Sequence, residues 1–163
     1  MATIDLSSGI GDSAHPSAWA NVKTPYFVET EIDFAAAVTA KGSALAQADV
    51  IQALDIPAGT VILMGGVQVT EAMAGTSTDT TLDVGITGGD VDNLVDGFDF
   101  DGASLSDYAV TGVNEPVVVS ADDTIDILIA TQTGTITGGK LRVFALLVDI
   151  VEKNAPGLAA LGS

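Results

Sequence analysis

The chain has 163 residues, with twenty-two acidic against five basic residues, a formal net charge of −17 and no cysteine. A surface of this charge repels nucleic acid and anionic membranes, because both are bound mainly through lysine and arginine. The absence of cysteine excludes disulfides, thiolate metal sites and cysteine nucleophiles. The length of 163 residues suits a single folded domain. Because of the acidic surface, we expect no nucleic-acid or membrane partner.

Residues 1–25 predict an extended N-terminal arm, because they mix Ser, Gly, Ala, Asp and Pro without a period. Trp19, the only tryptophan, is a candidate contact residue in this arm. His15 is the only imidazole, and nothing around it supplies the oriented nucleophile that a serine triad needs. We therefore expect no catalytic residue and no enzymatic activity.

A β-sandwich domain is predicted over residues 26–152, and its sheet begins at Tyr26. From there to Phe34, apolar and polar residues alternate, which places Glu29 and Glu31 on a wet, acidic face. Further strands are predicted over residues 49–56, 60–70, 80–86, 108–113, 117–119, 123–130 and 141–151. Short strands separated by turns are typical of an all-β, antiparallel β-sandwich of jelly-roll or Greek-key type.

Two features of these strands bear on packing. Gly65-Gly66 interrupts the strand over residues 60–70 and indicates a bulge or a close approach of another backbone. Leu141 to Val151 follows a predicted turn over residues 134–139 and is apolar on both faces, as in a central strand. Within it, the stretch Val143 to Ile150 suits burial in the core or between subunits. The C-terminal tail, residues 153–163, is expected to leave the sheet.

The connection from Gly88 to Leu105 is long and acidic, and it contains the D-x-D-G sequence Asp99-Phe100-Asp101-Gly102. Carboxylate clusters without cations suit Ca²⁺, which takes six to eight oxygen ligands. The candidate ligands are Asp90, Asp92, Asp96, Asp99 and Asp101. The connection lacks the distal Glu of an EF-hand, so a solvated loop with Asp-capped turns is the alternative. Apart from this calcium ion, no cofactor is expected.

Several motifs in chain order resemble structural virion proteins of tailed bacteriophages, notably small capsid-decoration and head-associated proteins. The matching segments are Ile56-Pro57-Ala58-Gly59-Thr60-Val61, Val67 to Ala72, Thr81-Leu82-Asp83-Val84-Gly85, Asp92 with Asp96-Gly97, Asp123-Thr124-Ile125-Asp126 and Gly139 to Val143. The similarity covers residues 48–150, in patterning more than in identity.

The resemblance implies a noncatalytic β-sandwich that is made in the host cytoplasm and joins the virion. It implies a capsid decoration or cement protein that binds the major capsid protein or other virion proteins. Three-fold positions of a shell suit a homotrimer. Candidate interface residues are Trp19, Tyr26, Phe98 and Phe100. The alternatives are a tail or head-fibre component and, outside the virion, an extracellular calcium-dependent binding module.

Overall fold

The computed structural model describes residues 3–8, 24–87, 90–111 and 116–150, with residues 5–8 described as backbone alone. His15, Trp19, most of the predicted arm and the tail over residues 153–163 lie outside the described residues. The elements are β1 (Thr3–Ser8), β2 (Tyr26–Asp33), α1 (Phe34–Lys41), β3 (Val50–Ile56), β4 (Thr60–Gly75), β5 (Asp79–Ile86), β6 (Val95–Asp99), β7 (Tyr108–Val110), β8 (Val117–Val119), β9 (Asp123–Thr133) and β10 (Ile136–Asp149).

The strands form two sheets of five. Sheet A has the order β1-β3-β9-β5-β6, and sheet B has the order β2-β10-β4-β7, with β8 also paired to β4. The antiparallel pairs are nested: β2 pairs with β10, β3 with β9, β4 with β7 and β8, and β5 with β6. This nesting is the jelly-roll arrangement. The predicted antiparallel β-sandwich is confirmed, and β1 adds to it as a parallel strand beside β3.

The core lies between the two sheets and is built by alternation along each strand. Ile125, Ile127 and Ile129 of β9 are fully buried on the inner face of sheet A. Leu141 and Val143 of β10 are fully buried on the inner face of sheet B. Because successive side chains of a strand point to opposite faces, the residues between them face outward. The pairing register of a strand therefore determines which of its side chains lie on the outer face of the sheet and which residues of the next strand they lie beside.

The helix α1 closes one corner of the sandwich and was not predicted. Asp33 caps its N-terminus, accepting hydrogen bonds from the backbone N–H of Ala35 at 2.8 Å and of Ala36 at 3.2 Å. Gly42 ends it in the left-handed conformation, with φ of 74°. The helix buries Phe34 and continues β2 without a break, so the strand pattern conceals it. No helix in the described part of the chain is long and apolar enough to span a membrane.

Several predicted boundaries differ from the structure. The sheets begin at Thr3 rather than Tyr26, because β1 pairs with β3 at the edge of sheet A. The acidic connection was expected to carry contacts or local order of its own because of its length, and it contains a strand, β6, which pairs with β5. The turn predicted over residues 134–139 is shorter, since β10 already begins at Ile136. For β1 and for the start of β10, pairing with a strand far away in the chain overrides weak local β propensity.

Candidate functional site

In the D-x-D-G sequence, Asp99 caps a local turn and Asp101 bonds to the strand β5. Asp99 Oδ1 accepts a hydrogen bond from the backbone N–H of Gly102 at 2.8 Å, and Asp101 Oδ1 accepts one from the backbone N–H of Thr80. Asp107, further along, caps Ser104 in the same way at 2.7 Å. The contacts of Asp99 and Asp107 are local Asp-capped turns, as in the alternative to a calcium loop.

Two other calcium candidates lie in contact with each other. The side chains of Asp90 and Asp92 are hydrogen-bonded, and this contact, with the nearby charges of Asp90 and Asp96, raises the pKa of Asp92 above its ordinary value. Asn93 Oδ1 is buried there without a hydrogen-bond partner. Within the described part of the chain, no group of three or more His, Cys, Asp or Glu side chains is arranged to hold a metal ion. The calcium site therefore stays a prediction.

The start of the acidic connection lies on the outer face of sheet A. Gly85 points outward from β5, and a Cβ placed there would lie 2.2 Å from the carbonyl oxygen of Asp90. Beside it on β9, Asp126 is 2% exposed and accepts hydrogen bonds from the hydroxyls of Thr87 and Thr124, the latter at 2.6 Å. The chain thus covers the part of this face around Gly85 with its own backbone, and only glycine leaves room for that cover.

Tyr26, a predicted interface residue, is half-buried and contacts the end of β10. Its hydroxyl donates a hydrogen bond to Asp149 Oδ1 at 3.0 Å, and the Thr60 hydroxyl donates to the same oxygen at 3.1 Å. Burial, followed by the bond to Asp149, raises the pKa of Tyr26. The phenol therefore has a role within the monomer, holding the start of β2 to the end of β10.

The other two described interface candidates lie in or against the core. Phe100 is fully buried, and its ring centroid is 4.7 Å from that of Phe34. The ring is therefore closed to a partner in this conformation and joins the loop after β6 to the start of α1. Phe98 is half-buried and packs against the core cluster.

The outer face of sheet B has an apolar end that no layer of the described chain covers. Phe27 is 56% exposed and its ring stacks on that of Phe144, with centroids 5.8 Å apart. Gly66, opposite Phe144, makes room for this ring, because a Cβ there would lie 3.1 Å from Phe144 Cζ. The remaining apolar members of this end are Val61, Met64, Val110, Val118, Leu146 and Val148. We call these eight residues the apolar patch.

The other end of the same face carries paired charges. Lys140 Nζ lies 3.5 Å from Glu71 Oε2 and 4.0 Å from Glu31 Oε1. Arg142 Nε lies 3.8 Å from Glu29 Oε2. Of the described lysines and arginines, the remaining one, Lys41, is held in an ion pair with the buried Asp49. Each of the three carboxylates at this end, those of Glu29, Glu31 and Glu71, thus lies within 4.0 Å of Lys140 or Arg142.

The sequence analysis named only part of the apolar patch: the stretch Val143 to Ile150, which was expected to be buried in the core or between subunits, contains its β10 residues. Glu29 and Glu31 correctly indicated a polar outer face for most of β2, but Phe27 is on that face too. The run Leu141 to Val151 was apolar on both sides, which we interpreted as a central strand. It is central in sheet B. In a two-layer sandwich, however, the second apolar side has no further layer to cover it.

Comparison with known proteins shows which structures share this fold. No protein-family model matches the sequence, and no curated protein matches it. A chain of the cyanophage Pam1 capsid asymmetric unit matches with a TM-score of 0.59 and 16% identity, over 85% of this chain and 99% of that chain. A chain of the capsid of Ralstonia phage GP4 matches with a TM-score of 0.57 and 16% identity, over 91% of this chain and 99% of that one.

A third similar structure is the acidic stable capsid of Helicobacter pylori bacteriophage KHP30. The TM-score is 0.47 and the identity 18%, over 81% of this chain and 97% of that chain. At the identities of the Pam1 and GP4 matches, what is shown is a shared fold. Structural similarity to phage capsid chains thus extends over most of this sequence.

Proposed function

We propose that this chain is a noncatalytic structural protein of a bacteriophage virion, and specifically a capsid decoration protein that binds the assembled shell and stabilises it. The observation that carries the proposal is the extent of the fold similarity. It covers 99% of a Pam1 capsid chain and 99% of a GP4 capsid chain, together with most of this one. Whole chains of two phage capsids therefore share this architecture.

The positions of the quoted motifs support the same function. Ile56 to Val61 forms the β3–β4 turn, and Thr81 to Gly85 lies within β5. The motifs that resemble capsid-decoration proteins therefore lie on consecutive strands of the jelly roll. The carboxylates of Asp99, Asp101 and Asp107 bond to backbone N–H groups, which suits turns more than acid–base chemistry.

In this proposal the partners are the major capsid protein or other virion proteins, and the decoration protein acts as a homotrimer at three-fold positions of the shell. It is made in the host cytoplasm and then joins the virion. A net charge of −17 limits adhesion to nucleic acid released from lysed cells.

The test is co-sedimentation with shells of the phage that encodes this chain, assembled without it. We expect saturable binding and a higher melting temperature of the shells, equal in Ca²⁺ and in EDTA. A chain that fails to sediment with shells contradicts the proposal. Binding to tails alone would support a tail or head-fibre component. A monomer that loosens in EDTA would support the calcium-dependent binding module.

A further inference from the structure

We infer that the outer face of sheet B is a self-association surface, and that the apolar patch packs against further copies of this chain. The inference deepens the proposed homotrimer and rests on it. It adds that the outer face of sheet B is the side of the subunit that contacts the other subunits of the trimer.

Exposure and residue type mark this face. Phe27, Val118 and Val110 are 56%, 58% and 39% exposed, and they lie on β2 at one side of the adjacent strands β10 and β4 and on β8 and β7 at the other. Phe144 and Leu146 fill the middle of the patch on β10. A continuous apolar area with charged groups beside it has the anatomy of a protein interface, with an apolar centre and a polar rim.

Charge decides which partner fits. The acids at the charged end of this face, Glu29, Glu31 and Glu71, have Lys140 and Arg142 beside them. In the described part of the chain, these two are the cations outside the Lys41–Asp49 pair. The face is therefore close to neutral, whereas the whole molecule carries a charge of −17.

A basic partner would be attracted more strongly to the unneutralised carboxylates elsewhere, such as those of the acidic connection. An acidic partner meets the least repulsion at the near-neutral face. Another copy of this chain is such a partner. It also brings the same apolar patch, so apolar area is buried from both sides. Three copies with this face directed toward a common axis satisfy the proposed trimer.

Salt dependence follows from the same charges. Each copy repels the next through its net charge, and salt screens this repulsion over about 8 Å at physiological ionic strength. Burial of apolar area is not weakened by salt in the same way. Self-association should therefore strengthen as salt is added, the opposite of an association held by ion pairs.

The experiment is sedimentation velocity of the full chain over a range of concentrations, at about 50 mM and about 500 mM NaCl, a range that shortens the screening length severalfold. The test variant carries Phe27→Asp and Val118→Asp. The matched control is Leu105→Asp, because Leu105 is 65% exposed and lies outside sheet B. Circular dichroism checks that each variant is folded.

We expect an oligomer that tightens with salt, a dissociation constant at least about tenfold larger for the test variant, and little change for the control. A wild-type chain that is monomeric in both salts overturns the inference. So does a test variant that associates like wild type, or a control that dissociates equally.

Shell binding, measured separately by co-sedimentation, distinguishes failure of the self-association inference from failure of the proposed decoration function. A test variant that is monomeric but still binds shells supports the self-association surface. Loss of shell binding with self-association intact assigns the face to the shell and overturns it. Failure of wild-type chain to bind shells contradicts the decoration function, while the sedimentation result stands on its own.

Discussion

The outer faces of sheets A and B differ from each other more than the inner faces of the two sheets do. Both inner faces are packed with Ile, Leu and Val. On sheet A, the segment around Asp90 lies over Gly85, and the adjacent Asp126 is buried beneath polar contacts. On sheet B, the ring of Phe144 stacks on the ring of Phe27, which is 56% exposed. The chain covers the outer face of sheet A around Gly85 and Asp126, whereas the apolar patch on sheet B is exposed in the described chain. Our self-association proposal depends on this difference.

The largest expected effect contrasts two phenylalanines. Phe100→Ala should lower the free energy of unfolding by about 3–5 kcal/mol, because a fully buried ring is removed from beside Phe34. Phe27→Ala should cost the monomer about 1 kcal/mol, since the ring is 56% exposed and loses mainly its stack on Phe144. Urea denaturation of dilute samples measures both. Equal losses would contradict the claim that the patch is open in the monomer.

A smaller effect tests the cover on sheet A. Gly85→Ala should destabilise by about 2 kcal/mol, because the new Cβ would lie 2.2 Å from the backbone oxygen of Asp90. Gly138→Ala is the matched control in β10, where the nearest atom to a new Cβ is Ala74 Cβ at 3.6 Å. It should stay within about 0.5 kcal/mol of wild type. A Gly85 variant as stable as this control would show that the segment does not pack on sheet A.

The smallest expected effect concerns the carboxyl groups of Asp90 and Asp92, in the segment that lies over Gly85. The hydrogen bond with Asp90 raises the pKa of Asp92, so the folded state holds this proton more tightly than the unfolded state does. Stability is therefore lost as pH rises from the ordinary Asp value of about 3.9 through the raised pKa. Asp92→Asn removes this loss, because its amide can donate to Asp90 at any pH.

We expect the Asp92→Asn variant to be slightly more stable than wild type at pH 7 and equal to it at pH 3. Urea midpoints at the two pH values measure this difference. A gap that persists at pH 3 would mean that the charge of Asp92 is not its cause. Added Ca²⁺ that removes the gap at pH 7 by stabilising wild type alone would support the predicted calcium site.

Sequence patterning predicted the strands with strong period-two alternation and missed the weak ones. Thr80 to Ile86 and Asp123 to Ala130 were placed because their apolar residues alternate, and both lie in strands with inward Val or Ile. Residues 95–99 have no such alternation and form β6 because β5 offers a pairing edge. Gly65-Gly66 indicated a close approach, and Gly66 confirms it, since a Cβ there would lie 2.2 Å from Ala109 O.

The candidate residues show the same limit. Asp90 and Asp92 were grouped by their spacing, and they do touch. Asp99 and Asp101 were chosen for their D-x-D-G spacing, but their carboxylates accept hydrogen bonds from backbone N–H groups of Gly102 and Thr80. Phe100 was a candidate interface residue in the acidic connection, yet its side chain is fully buried in the core. A loop residue carries no period, so its burial depends on which distant element reaches it.

The sequence by itself determined the composition class, the strongly alternating strands and the side of each that enters the core. Alternation is local, because neighbouring residues on a strand point to opposite faces. The tertiary structure alone decided which outward sides are covered. That outcome depends on segments far apart in the chain, such as Phe27 meeting Phe144 and Asp90 meeting Gly85. No local period records whether another segment lies over a strand, and here that difference separates the covered part of sheet A from the exposed apolar patch of sheet B.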